Sequence, residues 1–210
     1  MAPYLGDDAF AALLEGCKKA VDEIVTGKSD LATQRLAVKQ LLDRLDYRPA
    51  LGKEGTMEDL RSHERLSLIL NMNSGIVQGY RQWLEDQSVA IAFPANELIR
   101  LGYRKIQRPW IQIWNETRST LAQTTAMHAA STGRMIAMKD DPIWVAISDF
   151  GLPWSPYKYG SGMGTVGVGY TECLDLGLIR EGEQGSPHPD MHPDFEAILI
   201  SALTVSETEI

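Results

Sequence analysis

Leu60-Arg61-Ser62-His63-Glu64-Arg65-Leu66-Ser67-Leu68-Ile69-Leu70-Asn71-Met72-Asn73-Ser74-Gly75-Ile76-Val77-Gln78-Gly79-Tyr80-Arg81-Gln82-Trp83-Leu84 is the stretch that decides the fold. Leu60, Leu66, Ile69, Leu70, Asn73, Ile76, Val77, Tyr80 and Leu84 recur at three and four residues, so they form one stripe of an amphipathic helix. Thr56 followed by Asp59 resembles a capping pair, with Asp in place of the usual Glu or Gln. The spacing therefore predicts a helix over about 57–90, the longest in the chain. Asn73 lies inside the apolar stripe, where a buried amide must find hydrogen bonds. Gly75 and Gly79 leave room for the close approach of another backbone.

Towards the N-terminus, Phe10, Leu13, Leu14, Cys17, Val21, Ile24 and Val25 predict a helix over 8–26 that stops at Gly27. Ser29 is placed to cap a second helix carrying Leu31, Val38, Leu41, Leu42 and Leu45, which ends before Pro49. The two make a helical hairpin. Arg48 to Gly55, with one Pro and two Gly, reads as a hinge. Towards the C-terminus, Glu97–Tyr103 and Gly133–Lys139 read as short strands. Pro109 suits the first turn of a helix that buries Trp110, Ile113, Trp114, Thr117 and Leu121. Asp140 or Asp141 is placed to cap a helix over 142–148. Residues 151–169 read as a long irregular segment, Thr171–Leu176 as a short helix ended by Gly177, and Phe195, Ile198, Leu199, Ala202 and Leu203 as a final amphipathic helix. The expected fold class is α+β and predominantly helical: an N-terminal helical hairpin over 1–55, a core over 56–180 with the long helix packed on a small sheet, and a tail over 181–210.

With 210 residues, the chain is long enough to bury roughly 70% of its unfolded surface, without disulfides or metal. Hydrophobic residues make up 44% and charged residues 23%, a globular composition that excludes wholesale disorder. The apolar runs fall short of a membrane span, and the first residues lack the basic and apolar parts of a signal peptide. Cys17 and Cys173 form no ligand pattern and fit a reducing compartment. The net charge of −8 is uneven: residues 61–125 carry 8 basic and 5 acidic side chains, and residues 126–210 carry 4 and 12. Only Arg100, Arg104, Lys105 and Arg108 cluster, which reads as a solvated or partner-facing patch more readily than as a nucleic-acid site.

Gly162-Met163-Gly164-Thr165-Val166-Gly167 matches GxGxxG formally, but the residues before it suit no buried strand of a dinucleotide-binding unit. His188, Asp190, His192 and Asp194 could offer two imidazoles and two carboxylates to a metal, although Pro189 and Pro193 oppose the helical spacing that zinc sites use. Asp140, Asp141 and Asp149 could suggest a carboxylate pair for acid/base work or magnesium, but helix capping explains Asp141-Pro142 more readily. No nucleophile motif is present. These residues leave a soluble α+β protein without a legible active site, and a metal-dependent hydrolase or nuclease using His188, His192 and nearby acids as the alternative function.

Three stretches together carry a resemblance: Arg65 to Asn73; Arg108-Pro109-Trp110 with Trp114; and Gly133-Arg134-Met135-Ile136-Ala137-Met138-Lys139-Asp140-Asp141-Pro142-Ile143-Trp144, continued by Phe150 to Tyr157 and Gly160 to Gly164. Their order and spacing resemble the phage Mu F-like minor head proteins, the head morphogenesis family of tailed phages and prophages, over about residues 60–180. Many members have Cys after the proline-aromatic element, where this chain has Gly160-Ser161-Gly162-Met163, so the resemblance implies no cysteine-bound metal. It implies a structural, non-enzymatic role without cofactors, in the head or neck of a virion and in the host cytoplasm during assembly. The implied partners are portal and other head proteins, with self-association and incidental contact with packaged DNA also open, and no membrane. Trp154, Tyr157 and Tyr159 in the irregular loop, together with Arg100, Arg104 and Arg108, are the candidate interaction residues. The rings serve either as anchors for a partner or as packing of the loop on its own core.

Overall fold

The computed structural model describes residues 5–103, 107–189 and 191–204. The element order is α1 (Asp7–Val25), α2 (Leu31–Arg44), α3 (His63–Ser88), β1 (Ala95–Arg100), α4 (Trp110–Thr120), α5 (Ala129–Thr132), β2 (Ile136–Met138), α6 (Ile143–Ala146), β3 (Met163–Val168), α7 (Tyr170–Asp175) and α8 (Phe195–Thr204). The fold is α+β and predominantly helical, as the hydrophobic periodicity predicts.

The chain divides into two compact units, and the division differs from the expected one. Unit 1 comprises Met1–Gln78 and Asp194–Ile210, and unit 2 comprises Gly79–Pro193. The hairpin over 1–55 does not close a core by itself. Leu13, Cys17, Val38 and Leu42 share one apolar cluster with Leu60, Leu66, Ile69 and Leu70 and with Leu199 and Leu203 of α8. A two-helix hairpin can bury only its mutual face, so the outer stripes of α1 and α2 require the start of α3 and the last helix.

Two helix starts in unit 1 also differ from expectation. The cap of α2 is Asp30, whose side chain accepts from Thr33 N at 2.9 Å, and not Ser29. The long helix begins at His63, not near 57. Ser62 Oγ accepts from Arg65 N at 3.1 Å, and the Ser62 carbonyl accepts from Leu66 N. Asp59 builds the preceding turn instead, its carboxylate accepting from Gly55 N and from Arg61 N, both at 2.9 Å. An Asp side chain competes for nearby backbone N–H groups, and here the turn wins them.

Unit 2 is built on a three-stranded antiparallel sheet of order β2-β1-β3. Ala95 lies opposite Met138 and Val168, and Asn96 opposite Ala137 and Gly167. Alternation then puts Ala95, Ile136, Met138 and Val168 on one face, packed with Cys173 and Ile179. It puts Leu98, Ala137 and Met163 on the other, packed with Trp110, Trp114, Ile143, Trp144 and Tyr157. Both faces are covered, which is why β1 carries apolar residues on both sides. The strand β3 lies inside the segment expected to be irregular. Gly164 and Gly167 weaken its strand signal; a Cβ at Gly164 would meet the exposed Leu101 side chain, and one at Gly167 would stand 3.2 Å from Phe93 Cδ1.

Candidate functional site

Part of the stretches that carry the resemblance, Lys139 to Trp144 with Trp114 and Tyr157, meets at one corner of unit 2, where β2 turns into α6, whereas Arg65 to Asn73 belongs to unit 1. Asp141 is 3% exposed. Its carboxylate accepts from Ile143 N at 2.8 Å, from Thr124 Oγ1 at 2.9 Å, from Thr125 Oγ1 at 2.7 Å, and from Thr125 N. Thr125 Oγ1 in turn accepts from Met138 N at 2.9 Å. Asp141 thus caps α6, as its position before Pro142 predicts, and also ties the 124–125 loop to the end of β2. Trp144 follows one turn later, and its indole Nε1 donates to Met138 O at 2.8 Å. Trp114 donates to Met127 O at 2.9 Å and meets Trp144 edge-on, with ring centroids 5.4 Å apart. The tryptophan stripe of α4 is core, as read from its spacing.

Beside this corner lies an ion pair that no spacing in the sequence announces. Lys139 is buried, and its Nζ donates to Asp86 Oδ1 at 2.7 Å and to Asp86 O at 2.5 Å. Asn96 Nδ2 donates to Asp86 Oδ2 at 2.8 Å. The last turns of α3 are thereby joined to β1 and to the end of β2 through one carboxylate. Arg134 forms a second network, with Nε and Nη2 on the two Glu97 oxygens at 3.1 and 2.7 Å and Nη1 on Glu172 at 2.7 Å. Hydrogen bonds donated to Glu97, and next to Glu172, push its pKa upward.

The aromatic loop answers the choice between anchor and core. Tyr157 is 0% exposed and Trp154 3%. Tyr157 packs with Trp144 in the sheet-facing cluster, and its hydroxyl finds no partner among the described residues. Burial pushes that hydroxyl's pKa up, and the Asp86 charge adds to the shift. Trp154 packs against Tyr80 and Trp83, each at a centroid distance of 5.1 Å. Gly79 makes this possible, because a Cβ there would overlap the Ser155 carbonyl oxygen. Of the two readings left open, Trp154 and Tyr157 take the core one and offer no surface for a partner. Tyr159 is half-buried, edge-on to Phe150 at 5.0 Å.

A cleft of about 260 Å³ lies between α3 and the β3 edge, bounded by Gln82, Trp83, Asp86, Trp154 and Val166. Its carboxylate is already neutralised by Lys139.

The remaining candidates do not gather. Arg100 is exposed at the end of β1, Arg108 is half-buried before α4, and Arg104 and Lys105 lie outside the described residues. His188 sets its ring edge-on to Trp83 at 5.9 Å, its N–H donates to Gln87 Oε1 at 2.7 Å, and its Nδ1 lies 2.9 Å from Pro189 O. His192 is exposed, and Asp190 lies outside the described residues. Asp194 accepts from Ala197 N at the start of α8, and Asp149 pairs with Lys158. Among the described residues, no three His, Cys, Asp or Glu side chains come together to hold a metal ion. Of the glycines of the GxGxxG match, Gly162 precedes β3 and Gly164 and Gly167 lie within it, not at a strand-to-helix turn, so they cannot cradle a pyrophosphate there.

No protein-family model, no curated protein and no solved structure matches the chain. Among the described residues no helix is long and apolar enough to cross a membrane.

Proposed function

We propose that this protein is a structural minor head component of a tailed phage or prophage, acting in head morphogenesis through contacts with the portal and other head proteins. One observation supports the reading above others. Of the residues that carry the resemblance, Lys139, Asp141, Trp144 and Tyr157 are spent on fixing one corner of the fold, and none of these four lines the cleft beside α3. Side chains used this way preserve a shape, and the work is left to the surface that the shape displays. The uneven charge along the chain suits partner surfaces of both signs. On this reading the protein resides in the virion and passes through the host cytoplasm during assembly. The hydrolase alternative has weaker support, because His188 rests against Trp83 and the Pro189 carbonyl, and among the described residues no three His, Cys, Asp or Glu side chains gather to hold a metal ion.

The test is mass spectrometry of purified particles from cells that carry the gene with its neighbours. The protein is expected in heads at fixed copy number and in complexes with the portal protein. Normal heads lacking it, produced in normal yield after gene deletion, would sink the reading. In the same assay Trp154→Ala is expected to fail by unfolding and not by loss of docking. Truncating a buried Trp costs about 3–5 kcal/mol, and urea denaturation of the isolated protein reads that cost directly.

A further inference from the structure

Unit 1 is assembled from two distant stretches of chain, and the second contributes α8. That helix inserts Leu199, Ala202 and Leu203 as buried side chains, the leucines into the cluster of Leu13, Leu66, Ile69 and Leu70. Arg65, itself 2% exposed, donates from Nη2 to the Ala202 carbonyl at 2.8 Å. At the other end of the helix Lys18 Nζ meets Glu196 Oε2 at 2.6 Å. Every one of these contacts is available equally to α8 of another copy, because the incoming face is identical.

The connection to α8 favours such an exchange. His188 is fixed within unit 2 by Gln87 and Trp83. Five residues, Pro189 to Pro193, then lead to Asp194, where α8 is capped. Asp190 is outside the described residues; Met191, His192 and Pro193 make no hydrogen bond among those described. The helix cannot remain in water when it leaves its groove, since Phe195, Ile198, Leu199, Ile200 and Leu203 would all be exposed on ten residues.

We propose that α8 is an exchangeable arm, which docks in the groove of α1, α2 and α3 of a second copy of this chain and links copies by arm exchange. The inference is independent of the phage reading and holds for any function of the protein. A short tether keeps α8 near its own groove at an effective concentration on the order of millimolar. Closure within one chain therefore prevails in dilute solution, and exchange prevails where copies are crowded.

The experiment mixes unlabelled and ¹⁵N-labelled full-length chains, unfolds them together, and refolds them at tens of micromolar and at millimolar concentration. A zero-length carbodiimide then joins Lys18 to Glu196, and mass spectrometry counts cross-linked peptides whose two halves carry different labels. Lys18→Ala removes the reactive amine and serves as the control. Mixed-label pairs are expected to be rare at low concentration and to approach about half of all cross-linked pairs at high concentration, the statistical limit for full exchange. Light scattering should show dimers or larger species in the same samples. A chain lacking Met191 and His192 should exchange at roughly tenfold lower concentration, because closure on itself is restricted. Same-label pairs alone at both concentrations, or monomers throughout by light scattering, would overturn the proposal.

Discussion

At the residue scale, Asp86 and Asp141 are two carboxylates with opposite visibility. Asp141 stands before Pro142 and announces itself as a helix cap, and the structure uses it so. Asp86 sits on an ordinary polar helix face, and nothing in its neighbourhood says that a lysine 53 residues away will be buried on it. Sequence patterns report local geometry, whereas a long-range ion pair depends on where the whole chain goes. Asp86→Ala leaves Lys139 as an uncompensated buried charge, and removing one partner of such a pair costs about 3–5 kcal/mol. The expected result is a lower urea midpoint, partly restored when Lys139 is also changed to Met. Asp140 provides a pH test. The residue is exposed, yet partial desolvation of its carboxyl raises the pKa; a backbone hydrogen bond opposes this, the Asp141 charge adds to it, and His188 opposes it. The folded state then holds the Asp140 proton more tightly than the unfolded chain, so stability is lost as pH rises through the raised folded value. Asp140→Asn is expected to raise the unfolding midpoint at pH 7, with the gain vanishing below the ordinary carboxylate range of about 3.9. An unchanged midpoint at both pH values would show that the group is fully solvated.

At the element scale, the long helices and most of their faces were legible from periodicity, because a stripe of apolar residues has one stable use; Leu84 is the exception, exposed while its neighbour Trp83 is buried against Trp154. The terminal turns were not legible. Ser29 and Asp30 are both good caps, as are Thr56 and Ser62, and choosing between neighbours needs the path of the incoming chain. The strand β3 escaped because Gly164 and Gly167 interrupt its strand pattern and its pairing partner β1 lies far back in the sequence. Gly79, by contrast, was readable as a place of close approach, and the Ser155 carbonyl occupies the space a Cβ would need. Gly79→Ala must displace backbone, and overpacking of this kind costs about 1–3 kcal/mol or more. Gly16→Ala meets only the flexible end of Leu41 while removing a helix-interior glycine, worth about 1 kcal/mol in the other direction. Thermal melts should therefore separate the two glycines, with Gly79→Ala strongly destabilised and Gly16→Ala near neutral or stabilised. Equal melting temperatures for the two variants would contradict the packing described for α3.

At the scale of the whole molecule, the fold class followed from composition and periodicity, but the partition into units did not. The turn-rich stretch near 48–55 looks like a boundary, yet the apolar cluster runs straight across it, from Tyr47 to Leu60 and Leu66. A fragment of residues 1–55 is accordingly expected to remain largely unfolded by circular dichroism, since it lacks the α3 and α8 side chains that close its core. A cooperative melt of that fragment would restore the hairpin as an independent subdomain. The interrupted composition of unit 1 also sets an order of events during synthesis. Ribosomes extend a chain at roughly 5–20 residues per second, so about 6–26 s pass between the emergence of Leu70 and that of Leu199. Through most of that interval unit 2 is itself still being made, since it ends only at Pro193, and the first-made helices present an unfinished apolar groove. The earliest part of the chain is thus the last to be completed, and in polysomes carrying many nascent copies it is the part most exposed to chaperones and to neighbouring chains.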